Sequence, residues 1–245
     1  MRLDVILTPA EITPADLTDR PVVVLDILRA TTSIVQALSA GARAIYPVAS
    51  IEDALRLANT FGRDEVLLCG ERKCVRIEGF DLGNSPAEFT REKVAGKILV
   101  MSTTNGTAAM SLTGSASRVL IGALLNLTTV VDELVRTEAE PVFVCAGVDR
   151  RFALEDVTAA GLMAARLMEA RPGDWELNDG ALAAVALARE FGVSSRFFGL
   201  TAGGRNIVNA RMTDDLEFCA QLDLHDLLPV LHDRNITLSQ AAAGS

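Results

Sequence analysis

PVVVLDILRATTSIVQAL, residues 21–38, is the stretch from which the fold is read. Val22 to Leu25 is an unbroken apolar run, as expected of a parallel strand buried on both faces. It breaks into Asp26, Arg29, Thr31 and Thr32, and a helical pattern then runs to Ala40 and closes at Gly41, a residue suited to the left-handed position past a helix end. In open α/β sheets such strand-to-helix junctions are where ligands sit, because the free N–H groups of the starting helix attract anions. The layout recurs twice. KILVMSTTNGTAAMSL (97–112) sets Thr103, Thr104, Asn105, Gly106 and Thr107 after its apolar run, and PVFVCAGVDRRFALEDVTAAGL (141–162) sets Arg150, Arg151, Glu155 and Asp156 after its own. Strands that share one sheet would bring these clusters to one site.

Working outward, strand-like runs fall near 3–7, 21–25, 43–48, 65–69, 97–101, 118–122, 141–145 and 196–200, with helical patterns between most of them. The alternation predicts βαβ crossovers and an α/β fold of three layers, α/β/α, around a largely parallel sheet. The 245 residues are expected to form a single unit, or two closely packed α/β subdomains. Ser50 is positioned to cap a helix from Ile51 towards Thr60, and Arg171-Pro172-Gly173 to stop one that runs from Glu155 to Ala170. Asn178 or Asp179 opens another through Arg189, ended by Gly192. GERKCVRIEGFDLGNSP (70–86) has no period and reads as a structured loop laid over the sheet edge, of a length usually tied to binding. The last five residues, AAAGS, read as frayed.

The formal charge of −9 and the lack of a basic stripe argue against nucleic acid. No apolar run approaches the ~20 residues that cross a bilayer, and MRLDVILTPAEITPADL, with Asp4, Glu11 and Asp16, lacks the layout of a secretory signal. The four cysteines form no CxxC pair, so a reducing cytoplasm is the expected setting.

Asp26, at a strand end, has the chemistry to coordinate Mg²⁺ or to attack phosphorus; its plainer role is a helix cap. Arg29 can fork onto a phosphate or carboxylate, or simply pair with Asp26. TTNGT matches neither familiar phosphate loop, yet its hydroxyls, amide and glycine suit a neutral anion cradle. Glu71 follows VLLCG at the level of Asp26, so the two carboxylates could hold one hard cation. Ser85 precedes Pro86 and reads mainly as a cap. Glu155 and Asp156 begin a helix, where acids favour the positive dipole end whatever their function. His225 and His232 read as surface residues in a helix-like polar context, which leaves a histidine-based mechanism without support.

With these residues in view, the chain resembles the 2-phosphosulfolactate phosphatase family over nearly its whole length. The resemblance is carried in order by VVVLDILRATTSIVQALSAGA, LCGERKCVRIEGFDLGNSPAEF, STTNGTAA, EDVTAAGL, LNDGALAA and DDLEFCAQLD. It implies a Mg²⁺-dependent phosphoric monoester hydrolase that converts 2-phospho-3-sulfolactate to 3-sulfolactate, a precursor of coenzyme M in some organisms. By the same resemblance Asp26, Arg29 and Glu71 are catalytic and Asp26, Glu71, Glu155 and Asp156 hold the metal. The resemblance also places Asn84, Ser85 and Thr103 to Thr107 at the substrate, and the reading of the residues themselves adds Thr31 and Thr32, which follow Arg29, and Arg205 as a local cation. The implied partner is a small anionic phosphorylated acid, with neither nucleic acid nor membrane, and a symmetric dimer is the expected assembly. Gly203-Gly204-Arg205 stands where the family pattern reads His-Gly-Arg. Direct attack by water is preferred over a covalent aspartyl intermediate, because Leu28 replaces the second acid of a DxD pattern. The alternative is a non-catalytic protein that binds a phosphorylated or sulfonated acid.

Overall fold

The computed structural model describes residues 1–239; the predicted frayed tail at 241–245 lies outside them. The strands are β1 (Arg2–Ile6), β2 (Pro21–Leu25), β3 (Ala44–Pro47), β4 (Val66–Arg72), β5 (Val75–Arg76), β6 (Ile98–Ser102), β7 (Arg118–Gly122), β8 (Val142–Cys145), β9 (Glu176–Leu177), β10 (Pro229–His232) and β11 (Asn235–Leu238). The helices are α1 (Pro14–Leu17), α2 (Ala30–Ser39), α3 (Ile51–Ala58), α4 (Arg91–Val94), α5 (Gly106–Ser111), α6 (Leu127–Arg136), α7 (Leu154–Ala170), α8 (Asp179–Phe191), α9 (Ser195–Phe198), α10 (Ala202–Asn209) and α11 (Asp214–Cys219). All strands join one sheet, in the order β5-β4-β6-β3-β11-β10-β7-β2-β8-β1-β9.

The layers follow from strand alternation. Val23 and Leu25 of β2 point with Leu3, Val5 and Phe143 into a core closed by Leu127 and Val130 of α6, Val157 and Met163 of α7 and Ala181 of α8. Val22 and Val24 point with Ile121, Val142 and Val144 to the other face, against Ile34, Ala37 and Leu38 of α2 and Ala109 and Met110 of α5. Burial on both faces is why β2 reads as a continuous apolar run, each side chain contributing about 1.5–3 kcal/mol.

The sheet is not one parallel array. β4, β6 and β3 run parallel, as do β7, β2, β8, β1 and β9, but the β10–β11 hairpin lies between the sets and pairs antiparallel on both sides. Following those pairings, the two parallel sets run in opposite senses along the ladder. Strand twist accumulates at about 20–25° per step, so from β6 to β2 the sheet turns through roughly 100°. That turn allows segments after β2, β4 and β6 to approach one another.

Several expected features hold: Ser50 accepts from the Asp53 N–H to cap α3, Asn178 caps α8, and Gly192 follows α8 at a φ of 61°. Others differ. Residues 196–200 are not a strand: Ser194 accepts from the Phe197 N–H and starts α9, whose Phe197 and Phe198 bury themselves in the core. A short apolar run has no period to separate the two states. Within 70–86, β4 continues through Arg72 and doubles back as β5 at the sheet edge. The C-terminal context read as helix-like is irregular chain at His225 and the β10–β11 hairpin beyond it, with His232 exposed at the end of β10. His225 is not a surface residue; it is half-buried, with Nε2 2.7 Å from Gln36 Oε1 and 3.1 Å from Ser39 Oγ, and burial pushes its ring pKa down. No helix among the described residues is long and apolar enough to cross a membrane.

Candidate active site

A cavity of about 470 Å³ opens where the segments after β2, β4, β6 and β8 meet the face of α10. Asp26, Leu28 and Arg29 come from the β2–α2 junction, Glu71, Lys73 and Cys74 from β4 and its turn, and Thr103, Thr104 and Asn105 from the β6–α5 junction. Asn84, Val148, Asp149, Gly203, Asn206 and Asn209 are also on the wall. The first two sequence clusters therefore share one site, whereas the third segment reaches the wall only through Val148 and Asp149, with Arg150, Arg151, Glu155 and Asp156 outside the lining.

Asp26 is the buried centre. Its Oδ1 accepts from the Ala30 N–H at 3.2 Å, and its carboxyl is pushed up to about 7, first by burial and then by the charges of Glu71 and Glu155. Glu71 is held by three donors: Oε1 accepts from the Thr104 N–H at 2.9 Å and hydroxyl at 2.8 Å, and Oε2 accepts from the Cys74 N–H at 2.8 Å. The last bond rests on the β4–β5 turn, where Lys73 and Cys74 both take left-handed φ values of 53° and 65°. Two such residues in succession are what a tight two-residue hairpin demands, and the Glu71 bond helps to offset the backbone strain.

Glu155 is buried, with Oε2 lacking any partner, and burial also drives its carboxyl upward. Its other oxygen would lie 1.9 Å from a Cβ at Gly203. The lack of a side chain at Gly203 therefore gives this space to the Glu155 carboxylate. Asp156 departs from its expected role as metal ligand. Its Oδ1 accepts from the Ile27 N–H at 2.8 Å and its Oδ2 from the Gly147 N–H at 3.0 Å, so both oxygens clasp the ends of β2 and β8 together and neither faces the cavity. Among the described residues no group of three or more His, Cys, Asp and Glu is arranged around one metal position.

Other expected ligands are structural. The Thr31 hydroxyl donates to the Asp26 carbonyl at 3.0 Å and that of Thr32 to the Ile27 carbonyl at 2.9 Å, both fully buried inside the start of α2. The Thr107 hydroxyl donates to the Thr103 carbonyl at 2.9 Å, and its residue lines a different concavity of about 590 Å³ beside the β10–β11 hairpin. Arg205 is exposed and turned to the Leu200 carbonyl, outside the cavity wall. Ser85 does not cap with its side chain; its hydroxyl donates to Asp215. Arg72 binds the Ser102 carbonyl and hydroxyl at 3.1 and 2.9 Å and so ties β4 to β6. Arg29 remains on the wall, paired with Asp215 and not with Asp26.

Residues missed in the sequence include Lys73, Cys74, Asn206 and Asn209. The only local signal for the asparagines is their i, i+3 spacing, which sets them on one face of α10. Asn84 lines the wall with its Oδ1 buried and unpartnered.

Gly106 lies against Asp26: a Cβ there would come within 2.6 Å of the Ala30 Cβ and 2.7 Å of Asp26 Oδ2. Gly106→Ala is expected to displace the carboxylate, cost about 1–3 kcal/mol of stability and lower turnover by roughly 10–100-fold. Thermal melts and steady-state rates on the same preparation check this, and an unchanged rate would show that Asp26 tolerates the shift.

The described geometry accompanies clear sequence relationships. Residues 6–234 match the family model described as 2-phosphosulpholactate phosphatase. A protein named probable 2-phosphosulfolactate phosphatase from Symbiobacterium thermophilum is 40% identical over 233 residues, covering 95% of this chain and 98% of that protein. One of the same name from Caldanaerobacter subterraneus subsp. tengcongensis is 37% identical over 228 residues, covering 92% and 93%. A third, from Clostridium beijerinckii, is 34% identical, covering 97% and 99%.

Proposed function

The chain belongs to the 2-phosphosulpholactate phosphatase family, and from that premise we propose that it is a Mg²⁺-dependent phosphatase that hydrolyses 2-phospho-3-sulfolactate, or a closely similar phosphorylated hydroxy acid, to 3-sulfolactate and phosphate. The observation that carries this reading is the buried Asp26 carboxyl, raised to about 7 among Glu71 and Glu155 while facing the same cavity as Arg29 and Lys73. Negative charge so concentrated and so far from water calls for a cation.

The donors suit magnesium, which takes one or two carboxylates together with waters and substrate oxygens. Asp26 and Glu71 would hold it, with Glu155 close by and the free Oδ1 of Asn84 as a neutral oxygen. When bound, such an ion supplies positive charge to the phosphoryl oxygens. Arg29 grips those oxygens with the N–H groups its protein partners leave over. Asn105 sits beside them, its orientation held by the 3.2 Å bond that its Oδ1 accepts from the Asp149 N–H. Lys73, Asn206 and Asn209 line the same cavity and meet the carboxylate and sulfonate. Water then attacks in line, and leaving Leu28 apolar beside Asp26 removes the second acid that a covalent aspartyl route employs.

Phosphate release from 2-phospho-3-sulfolactate and from a panel of other phosphorylated hydroxy acids tests the proposal. The expected result is preference for the sulfonated substrate and a loss of at least about 100-fold in rate with chelator, restored by Mg²⁺. Full activity in chelator would remove the metal from the reaction, and binding without release for the whole panel would favour a non-catalytic binding protein.

A further inference from the structure

Arg29 is a buried cation on the cavity wall whose partner lies 186 residues away. Its Nη1 donates to Asp215 Oδ2 at 2.6 Å and to Met212 Sδ at 2.9 Å, and its Nη2 donates to the Cys74 carbonyl at 3.1 Å. Asp215 is held in turn, its Oδ1 accepting from the Ser85 hydroxyl at 2.6 Å. The side chains of Arg29 and Asp215 are only 2% and 5% exposed.

We propose that Asp215, at the start of α11, is the positioning residue that aims the Arg29 guanidinium into the cavity, with Ser85 fixing Asp215. The proposal rests on the reading of Arg29 as the group that grips the substrate anion. A guanidinium is a rigid planar fork, so contacts at Nη1 and Nη2 set its plane and its rotation together. Both Nη1 hydrogens and one Nη2 hydrogen are engaged on the protein side. The Nε hydrogen and the second Nη2 hydrogen are left to donate to the oxygens of a phosphate or carboxylate. Acids at a helix start are favoured by the dipole alone, yet Asp215 turns its carboxylate to Arg29 and Ser85 instead. Since a buried ion pair contributes little net stability compared with apolar packing, orientation is the use that the geometry gives it.

The test is steady-state kinetics on Asp215→Asn and Ser85→Ala, alone and combined with Arg29→Met, with thermal melts and the ¹⁵N spectrum of the arginine guanidinium groups. Asp215→Asn is expected to lower kcat/KM by about 100-fold, mainly through KM, and Ser85→Ala by about fivefold. In the Arg29→Met background, Asp215→Asn should add less than about threefold, because a positioning residue has nothing left to position. The hindered Nη signals of Arg29 should collapse in Asp215→Asn. If Asp215→Asn does not fold, Ser85→Ala and its combination with Arg29→Met carry the same comparison. Retention of kcat/KM within threefold, or equal losses with and without Arg29, would overturn the proposal. Should the unaltered enzyme release phosphate from no substrate, the functional reading fails by itself. The guanidinium spectrum then decides alone: collapse in Asp215→Asn supports the positioning role and an unchanged spectrum ends it.

Discussion

Asp26→Asn is expected to lower phosphatase kcat/KM by about three orders of magnitude while making the metal-free protein more stable at neutral pH. The first half follows from the position of the carboxylate, buried on the cavity wall beside Glu71 and Glu155. The second follows from linkage. In the folded chain this carboxyl is raised from 3.8 to about 7, so between those values the native state holds a proton that the unfolded state has lost. Stability therefore falls as pH rises through that window, and above it the protein keeps an ionised acid away from water. Asparagine fits the same space without the charge. At about 1.4 kcal/mol for each pH unit that separates the two values, and with neighbouring acids sharing the effect, the gain is roughly 2–4 kcal/mol at pH 8 and vanishes near pH 4. Melting curves in chelator across that range measure it. Added Mg²⁺ should raise the melting temperature of the unaltered protein and leave Asp26→Asn unmoved. Parallel melting profiles for the two proteins at every pH would sink the charge argument, and a retained rate would remove Asp26 from the chemistry.

Asp156→Ala is expected to be the most damaging single change to the fold near the site. It strands the amides of Ile27 and Gly147, which Asp156 alone accepts at 2.8 and 3.0 Å in a fully buried setting. Burial and the charges of Asp26 and Glu155 push this carboxyl upward while the two amide donors pull against them. Two unsatisfied buried donors cost about 1–3 kcal/mol each, partly offset at neutral pH by removal of an acid that burial and like charges disfavour, so a net loss of roughly 2–4 kcal/mol and about 5–15 °C in melting temperature is expected for a chain of this size. Asp156→Asn keeps one acceptor and should lose about half as much. A metal ligand would behave differently: a normal melt in chelator combined with loss of the Mg²⁺ response would return Asp156 to the ligand set.

Much of this site was legible because its chemistry is local to strand ends. Asp26, Arg29, Glu71, Asn84, Thr103, Thr104 and Asn105 stand directly after apolar runs or within the aperiodic segment 70–86, and all line the cavity. The errors share one cause. Thr31, Thr32, Thr107 and Asp156 have the residue types that bind anions or metals, but the same oxygens serve backbone groups equally well, and only geometry says which they meet. Residues 196–200 failed because RFFGL is too short for any period to show, whereas the Ser194 cap decides for helix.

By itself the order of residues determined the alternation of buried strands and helices and the rim on which acids and hydroxyls gather, since burial on two faces and helix capping are written in runs of a few neighbours. Only the tertiary structure decided that the β10–β11 hairpin enters mid-sheet, that the parallel sets on either side run in opposite senses, and that Asp215 reaches Arg29. Those outcomes depend on pairings between segments far apart along the chain, and no local pattern of hydrophobicity carries the identity of a distant partner.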